Sequence, residues 1–324
     1  MDLVALFGIG STNFHYTIGT PAGDFVMDVS TEPTQPHRLA EQVCETLEEL
    51  QQEIPLDAVA ISAPGLVDPE AGCIRKFDTV DGELIDKIDL REPVERAFAL
   101  PVYLENDCSA SALGEWYFGR RGEHDCVIHV TFGTGIGGGV VENGQLLRGE
   151  SGQAGEFGLI SIDPGSELES SGVTGAWEAF CSGRGIPQYV EQRFKRDTSA
   201  VTASELARID VADLTAPEVF AAAENGDPFA RACLEQISRY NAAGIGTLCN
   251  IHNPGMVTLG GGVALNNEEW LLEGVRKHLE EFCFVDPPTL EMTPLGEEIG
   301  LYGALGTYMD RAEEISRATV PASD

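Results

Sequence analysis

Lysine is scarce in this chain: four residues, at positions 76, 87, 195 and 277, in a sequence of 324. Lys and Arg together number 20 against 53 Asp and Glu, for a formal net charge of −33. No Lys/Arg-rich face is visible that could neutralise phosphates along a strand, which argues against a nucleic-acid partner. The acids are spread along the sequence rather than gathered in a tail. A cationic protein partner would favour a cluster, whereas a salt-rich cytoplasm favours dispersion, because self-repulsion is screened there and carboxylates keep the surface hydrated. A halophilic, cytoplasmic protein is the expectation. Cys-x-x-Cys pairs are also missing. The eight cysteines (44, 73, 108, 126, 181, 233, 249 and 283) are scattered, several inside apolar runs, which suits reduced buried thiols better than a disulfide framework or a zinc site. No apolar run reaches the length of a membrane span, and Met1-Asp2-Leu3-Val4 has no basic leader region, so neither a membrane partner nor a signal peptide is expected.

What the sequence does have is glycine in two telling places. His129-Val-Thr-Phe-Gly-Thr-Gly-Ile-Gly-Gly-Gly-Val-Val141 carries five glycines between Gly133 and Gly139, flanked by β-rich apolar runs. Glycine admits positive φ and leaves no side chain in the way, so consecutive N–H groups can close on an anion. Near the start, Leu3–Ile9 reads as a buried strand, Gly10-Ser11-Thr12-Asn13 as a turn, and Phe14–Ile18 as a returning strand. Two strand–turn–strand units about 120 residues apart suit two related lobes gripping a triphosphate from both sides. Neither turn ends in Gly-Lys-Ser/Thr or opens directly into a helix, which disfavours P-loop and Rossmann readings.

The remaining pattern is α/β. Phe25–Val29 reads as a third strand, Leu39–Leu50 as a helix with an apolar stripe, Asp57–Ser62 as a strand stopped by Ala63-Pro-Gly65, Arg91–Leu100 as a helix, Val102–Glu105 as a strand and Ser109–Tyr117 as a helix. Helices are expected near 176–181, 186–196, 216–225, 228–250, 268–282 and 303–317, with a strand at Met256–Leu259 before Gly260-Gly261-Gly262. The length suits two domains: residues 1–112, joined by the last helix at about 303–317, and residues 113–302.

Leu104-Glu-Asn-Asp107 places a carboxylate at the end of a strand, where α/β folds gather their sites. Asp107 reads either as a helix N-cap or as a general base that takes a proton from a phosphoryl acceptor hydroxyl. Glu156 and Glu178 are further acids in mixed apolar surroundings, suited to holding sugar hydroxyls or simply solvated. The triple glycine at 260–262 allows close backbone approach to a flat or phosphorylated ligand.

Together these segments resemble the ROK family (repressor, open reading frame, kinase) of the actin/hexokinase ATPase superfamily. The matching segments, in family order, are Gly8-Ile-Gly-Ser-Thr-Asn13, Ala63-Pro-Gly65, Glu105-Asn-Asp107, Gly133–Gly139, Gly155-Glu-Phe-Gly158, Glu178-Ala-Phe-Cys-Ser-Gly183 and Leu259-Gly-Gly-Gly-Val263. The resemblance implies two RNase H-like lobes with a cleft between them, closing over ATP·Mg²⁺ and a hexose, and a last helix packed back on the first lobe. It implies that Asp107 is the base and that Gly65, Asn106, Glu156 and Glu178 hold the sugar. ATP would lie against Gly10, Ser11, Thr12, Asn13, Gly133, Thr134, Gly135, Gly137, Gly261 and Gly262. It further implies a dimer or tetramer. With no helix-turn-helix ahead of the first strand, the family's repressor branch is not expected.

Three positions depart from the family pattern. The first-loop Asp, which helps hold hydrated Mg²⁺, is Gly8. The family's Glu-x-Gly-His is Glu156-Phe-Gly-Leu159, without the sugar-contacting, often zinc-linked histidine. The three cysteines of Cys-x-Cys-Gly-x-x-Gly-Cys are replaced in Glu169-Ser-Ser-Gly-Val-Thr-Gly-Ala176, so no zinc is expected and packing, with Trp177 as the candidate, must hold this loop. The expected activity is a glucokinase-type, ATP-dependent transfer to a hexose primary hydroxyl. The alternatives are a kinase for fructose, N-acetylmannosamine or N-acetylglucosamine, and a non-catalytic sugar or nucleotide sensor.

Overall fold

A computed structural model describes residues 2–119, 122–196 and 204–319. It divides into two compact units. Unit 1 comprises Met1–Val127, Gly139–Gly155 and Pro294–Asp324, and unit 2 comprises Ile128–Gly138 and Glu156–Thr293.

Unit 1 opens with β1 (Val4–Ile9), β2 (Asn13–Gly19) and β3 (Ser30–Pro33), then α1 (Leu39–Glu53) and β4 (Ala58–Ala63). A small appended sheet of β5 (Leu66–Asp68), β6 (Cys73–Asp78), β7 (Leu84–Ile85) and β8 (Ile88–Asp89) follows. The chain continues through α2 (Arg91–Phe98), β9 (Val102–Asn106) and α3 (Asp107–Gly114), with a π-helical turn over Glu115–Gly119. The main sheet has the order β3-β2-β1-β4-β9. β1 runs antiparallel to β2 and parallel to β4, and β4 runs parallel to β9. β1 and β4 are buried on both faces, so their apolar runs are continuous rather than alternating. One face packs Phe7, Phe14, Ile18 and Ile61 against Val43 and Leu47 of α1. The other packs Val4, Leu6, Ala58 and Ala60 against Leu301, Ala304, Leu305 and Tyr308 of the last helix.

The hairpin strands β10 (Cys126–Phe132) and β11 (Ile136–Glu142) pass from one unit into the other along their length, and β12 (Gln145–Leu146) pairs back on β11. Unit 2 then holds the short hairpin β13 (Glu169–Ser170) and β14 (Val173–Thr174), α4 (Glu178–Cys181), α5 (Gly185–Arg196), α6 (Ala216–Glu224) and α7 (Pro228–His252). β15 (Met256–Gly260), α8 (Gly262–Leu265), α9 (Gly274–Leu279) and β16 (Thr289–Met292) complete it, and α10 (Ile299–Thr319) returns to unit 1. The second sheet, β12-β11-β10-β15-β16, repeats the strand order of the first.

Several expectations shift. The third strand lies at Ser30–Pro33, not Phe25–Val29, where only Phe25 bridges to Gly19. The 268–282 helix is interrupted by a π turn over Glu269–Glu273. The break between units falls after Val127 rather than at residue 112, and residues 139–155 return to unit 1. Residues beyond 112 pack on unit 1: a Cβ on Gly114 would sit 2.9 Å from the Gly303 amide nitrogen of α10, and one on Gly139 2.8 Å from the Ala112 Cβ of α3.

Candidate active site

In unit 1, parallel pairing with β4 sets the end of β9, with Ala63 opposite Asn106. Asn106, not Asp107, is the N-cap of α3. Its Oδ1 accepts from the Cys108 and Ser109 amides at 3.0 and 3.2 Å, satisfying two of the helix's open donors. That corrects the cap reading: Asp107 is the first helical residue, where the helix dipole favours a negative charge. Asn106 Nδ2 donates to the Gly65 carbonyl at 3.2 Å, so the structure brings Gly65 and Asn106 together. Gly65 has φ +88°, and a Cβ there would come within 2.1 Å of the Lys76 carbonyl oxygen, so this turn accepts only glycine. Asp107 is half-buried. Burial pushes its carboxyl above the usual range, opposed by hydrogen bonding from Cys108 and Asn106.

The first loop is a tight turn, Gly10–Thr12, with Asn13 already opening β2. The Gly10 amide donates to the Asn13 carbonyl at 2.8 Å, and Ser11, Thr12 and Asn13 are exposed. Thr34 fastens the loop, its hydroxyl donating to the Gly10 carbonyl at 2.7 Å and its amide to the Thr12 carbonyl at 2.9 Å. Sequence reading missed Thr34, since a lone threonine beside Pro33 carries no signal. Gly8 is buried within β1 near Gly300 and Leu301. It supplies no carboxylate, and the described residues contain no cluster of three or more carboxylate, thiol or imidazole groups suited to a metal.

In unit 2, the hairpin tip is only Gly133–Gly135, closed by the Gly133 amide on the Gly135 carbonyl at 3.0 Å. Gly137, Gly138 and Gly139 lie in β11, so the five glycines do not all cradle an anion. Gly138 leaves room for the Phe157 ring, and in unit 1 Gly139 lies against Ala112. The Gly133 and Thr134 carbonyls accept from the Gly183 and Arg184 amides at 2.8 and 3.3 Å. Glu178 braces the same turn: Oε2 accepts from the Ile136 amide at 3.0 Å and Oε1 from the Ser170 hydroxyl at 2.6 Å. Exposed Glu156 precedes a 3-10 turn, Phe157–Leu159, whose Gly158 packs on Glu178 and the Ile136 carbonyl. The structure thus gathers the Glu156 loop, Glu178 and the glycine turn within one unit.

Trp177 is wholly buried. It lies edge-on to Phe132 at 5.7 Å, covers Gly244 of α7 and donates from Nε1 to Asn241 Oδ1 at 2.8 Å. Its amide donates to the Ile160 carbonyl at 2.8 Å, tying down the β13–β14 segment. His129, between Thr258 and Thr131 at 2.9 and 3.1 Å, has its pKa pushed down to about 3 by burial and is a neutral core residue.

A pocket of ≈ 880 Å³ opens in unit 2. Gly133, Thr134, Gly183 and Arg184 line it together with Gly262, Val263, Asn266 and Asn267 around α8. The third wall is the 217/220/221/224 face of α6 (Pro217, Phe220, Ala221, Glu224), residues three and four apart that share one side of a helix. A capping box fixes the start of α6, with the Thr215 amide donating to Glu218 Oε2 at 2.7 Å. Gly261, at φ +83°, lets the strand turn into α8, where a Cβ would lie 2.4 Å from the Phe132 carbonyl oxygen. An apolar wall beside a glycine turn suits a nucleoside with a phosphate tail.

The family model of the ROK family matches residues 6–308. Among curated proteins, the chain is 28% identical over 319 residues to a glucokinase of Thermotoga maritima, covering 96% of this chain and 99% of the relative. It is 31% identical over 265 residues to a glucokinase of Halalkalibacterium halodurans, covering 81% and 78%. Among solved structures, a ROK hexokinase from Thermus thermophilus superposes with a TM-score of 0.79 at 32% identity, covering 96% of this chain and 99% of that one. A ROK family glucokinase from Streptomyces griseus, in complex with glucose and AMPPNP, superposes at 0.74 with 29% identity and the same coverage.

Proposed function

This chain belongs to the ROK family, and we propose that it is an ATP-dependent hexose kinase in which Asp107 is the general base. The observation that carries the assignment is the braced end of β9. There Asn106 caps α3 and grips Gly65, leaving the next residue, Asp107, as a carboxylate at a helix N-terminus. Phosphoryl transfer asks little covalent chemistry of a protein and much positioning. A hexose primary hydroxyl hydrogen-bonded to Asp107 gives up its proton as its oxygen attacks the γ-phosphorus in line, and ADP leaves. A carboxyl raised by burial is a stronger base than an ordinary aspartate, which suits it to that proton.

The nucleoside is assigned to the unit 2 pocket, against the α6 face and Gly261-Gly262, with its phosphates toward Gly133–Gly135. Glu178 holds that turn through Ile136, so its part in sugar binding is indirect, and Glu156 is the unit 2 acid offered to sugar hydroxyls. The glucokinase relatives and the AMPPNP complex support hexose and ATP. Leu159 in place of the family's histidine removes one hydrogen bond that distinguishes sugars. ADP release, measured in concentrated KCl over glucose, mannose, fructose, N-acetylmannosamine and N-acetylglucosamine, tests the assignment. Release that depends on a hexose supports it. Sugar binding by calorimetry with no turnover on any of the five would replace it with a sensor.

A further inference from the structure

Arg148 lies between the glycine hairpin and the Glu156 loop in sequence, and both its side chain and its backbone are tied down within unit 1. Nε donates to Glu105 Oε2 at 3.0 Å and Nη2 to Asp310 Oδ2 of α10 at 2.6 Å. The Glu105 and Asp310 side chains are almost sealed from solvent, at 2% and 4% exposure, and Arg148 is at 19%. The other oxygen of Glu105, Oε1, accepts the Asn106 amide at 3.1 Å. Burial pushes the Glu105 carboxyl up, and the Arg148 guanidinium works against that shift. β9 is the edge strand of its sheet, beside β4, so its last residues have a strand neighbour on one side only. The backbone of Arg148 makes a second attachment: its carbonyl accepts the Ala154 amide at 3.1 Å, closing the loop that leads into Gly155-Glu156.

We infer that Arg148 is a positioning residue for the acceptor sugar. Its guanidinium fixes the strand end that carries Asn106 and Asp107, and its carbonyl fixes the loop that delivers Glu156. The inference rests on the kinase reading above, with Asp107 as the base, but is tested separately from it. A buried ion cluster can also serve stability alone, because removing one partner leaves uncompensated charge. The test must therefore part the two roles.

Three variants do so: Arg148→Met, Arg148→Lys, and the triple Arg148→Met/Glu105→Gln/Asp310→Asn, which neutralises these three side chains with little change in volume and leaves Arg311, whose charge also acts on Glu105, in place. Each is assayed for kcat, for KM of hexose and of ATP separately, and for thermal unfolding, beside Asp107→Asn. Arg148→Met is expected to raise the hexose KM and lower kcat tenfold or more with the ATP KM within twofold of wild type. Arg148→Lys, which keeps the charge but not the two-sided reach, should recover part of that loss. The triple variant should melt close to wild type yet keep the raised hexose KM, because neutrality does not rebuild the fastening. If the triple variant regains the wild-type hexose KM, or if hexose and ATP constants shift together in the variants that fold, Arg148 is only structural. Should Arg148→Met fail to fold, the triple and lysine variants still decide. Loss of activity in Asp107→Asn with wild-type kinetics at Arg148 variants would reject this inference and leave the kinase reading intact.

Discussion

Replacing Asp107 with asparagine isolates the proton-accepting step. The amide carbonyl can still accept from the Cys108 amide, now bonded at 2.9 Å, and Asn106 still caps α3, so the local backbone has no reason to move. What disappears is basicity. General-base catalysis contributes about 10²- to 10⁴-fold, equivalent to about 3–5 kcal/mol of barrier at 1.36 kcal/mol per decade. kcat should fall by that factor, with both KM values changing far less. Stability should barely respond. The charge at the first helical position gains about 0.3–1 kcal/mol from the dipole, while burial, the main cause of its raised carboxyl, opposes ionisation. These two effects act in opposite directions, so the melting temperature should stay within about 3 °C. The pH profile adds a sign. Asp107 works when ionised and its carboxyl lies above the usual range, so wild-type kcat/KM should rise with pH through an inflection above about 3.9. The variant should lose that limb. Turnover within tenfold of wild type, with unchanged melting, would refute the base assignment.

Further outcomes follow from other parts of the molecule. Gly261→Ala forces a Cβ to within 2.4 Å of the Phe132 carbonyl oxygen at φ +83°. It should cost about 1–3 kcal/mol in chemical denaturation and raise the ATP KM more than the hexose KM. Trp177→Phe leaves the buried Asn241 Oδ1 without its 2.8 Å donor, and a loss of about 1–3 kcal/mol in urea unfolding is expected. Asp227 caps α7 through the Phe229 and Ala230 amides at 2.9 and 3.0 Å and also accepts from Ser204 at 2.8 Å. Burial alone would raise its carboxyl, but these donors hold it below the usual range. Its stabilisation is therefore present above about pH 4 and lost as pH falls through the lowered value. Asp227→Ala should cost about 2–3 kcal/mol at pH 7 and less at pH 3. With a net charge of −33, the wild-type melting temperature should climb with KCl.

The sequence was most informative where several short signals recur in a fixed order. Leu3–Ile9 with its polar turn, the helix read over Leu39–Leu50 and the strand read over Val102–Glu105 could be found because a buried strand or an apolar stripe needs only local pattern. The appended sheet over Leu66–Asp89 could not, since β7 and β8 are two residues long and gain their partners from β6 rather than from their own composition. The glycines at 137–139 read as one cradle with 133–135, because the need for space beneath Phe157 and beside Ala112 arises from contacts remote in sequence. The cap alternative fell one residue late, on Asp107 rather than Asn106, as both types make good caps and only backbone angles choose between them. The role of Glu178 as a brace for Ile136 depends on a contact across 42 positions, and nothing in the flanking residues announces it.

The first sheet is finished by a helix that is made long after it. Val4, Leu6, Ala58 and Ala60 form an apolar face whose cover, Leu301 to Tyr308, is translated some 240 positions after Ala60. During synthesis the residues of unit 2, Ile128–Gly138 and Glu156–Thr293, can gather their own core first, while the amino-terminal sheet waits with one side bare. Such a face is a natural foothold for chaperones and for aggregation. A stop codon ahead of position 299 would therefore do more harm than the loss of one surface helix, because it would leave that sheet permanently half-dressed.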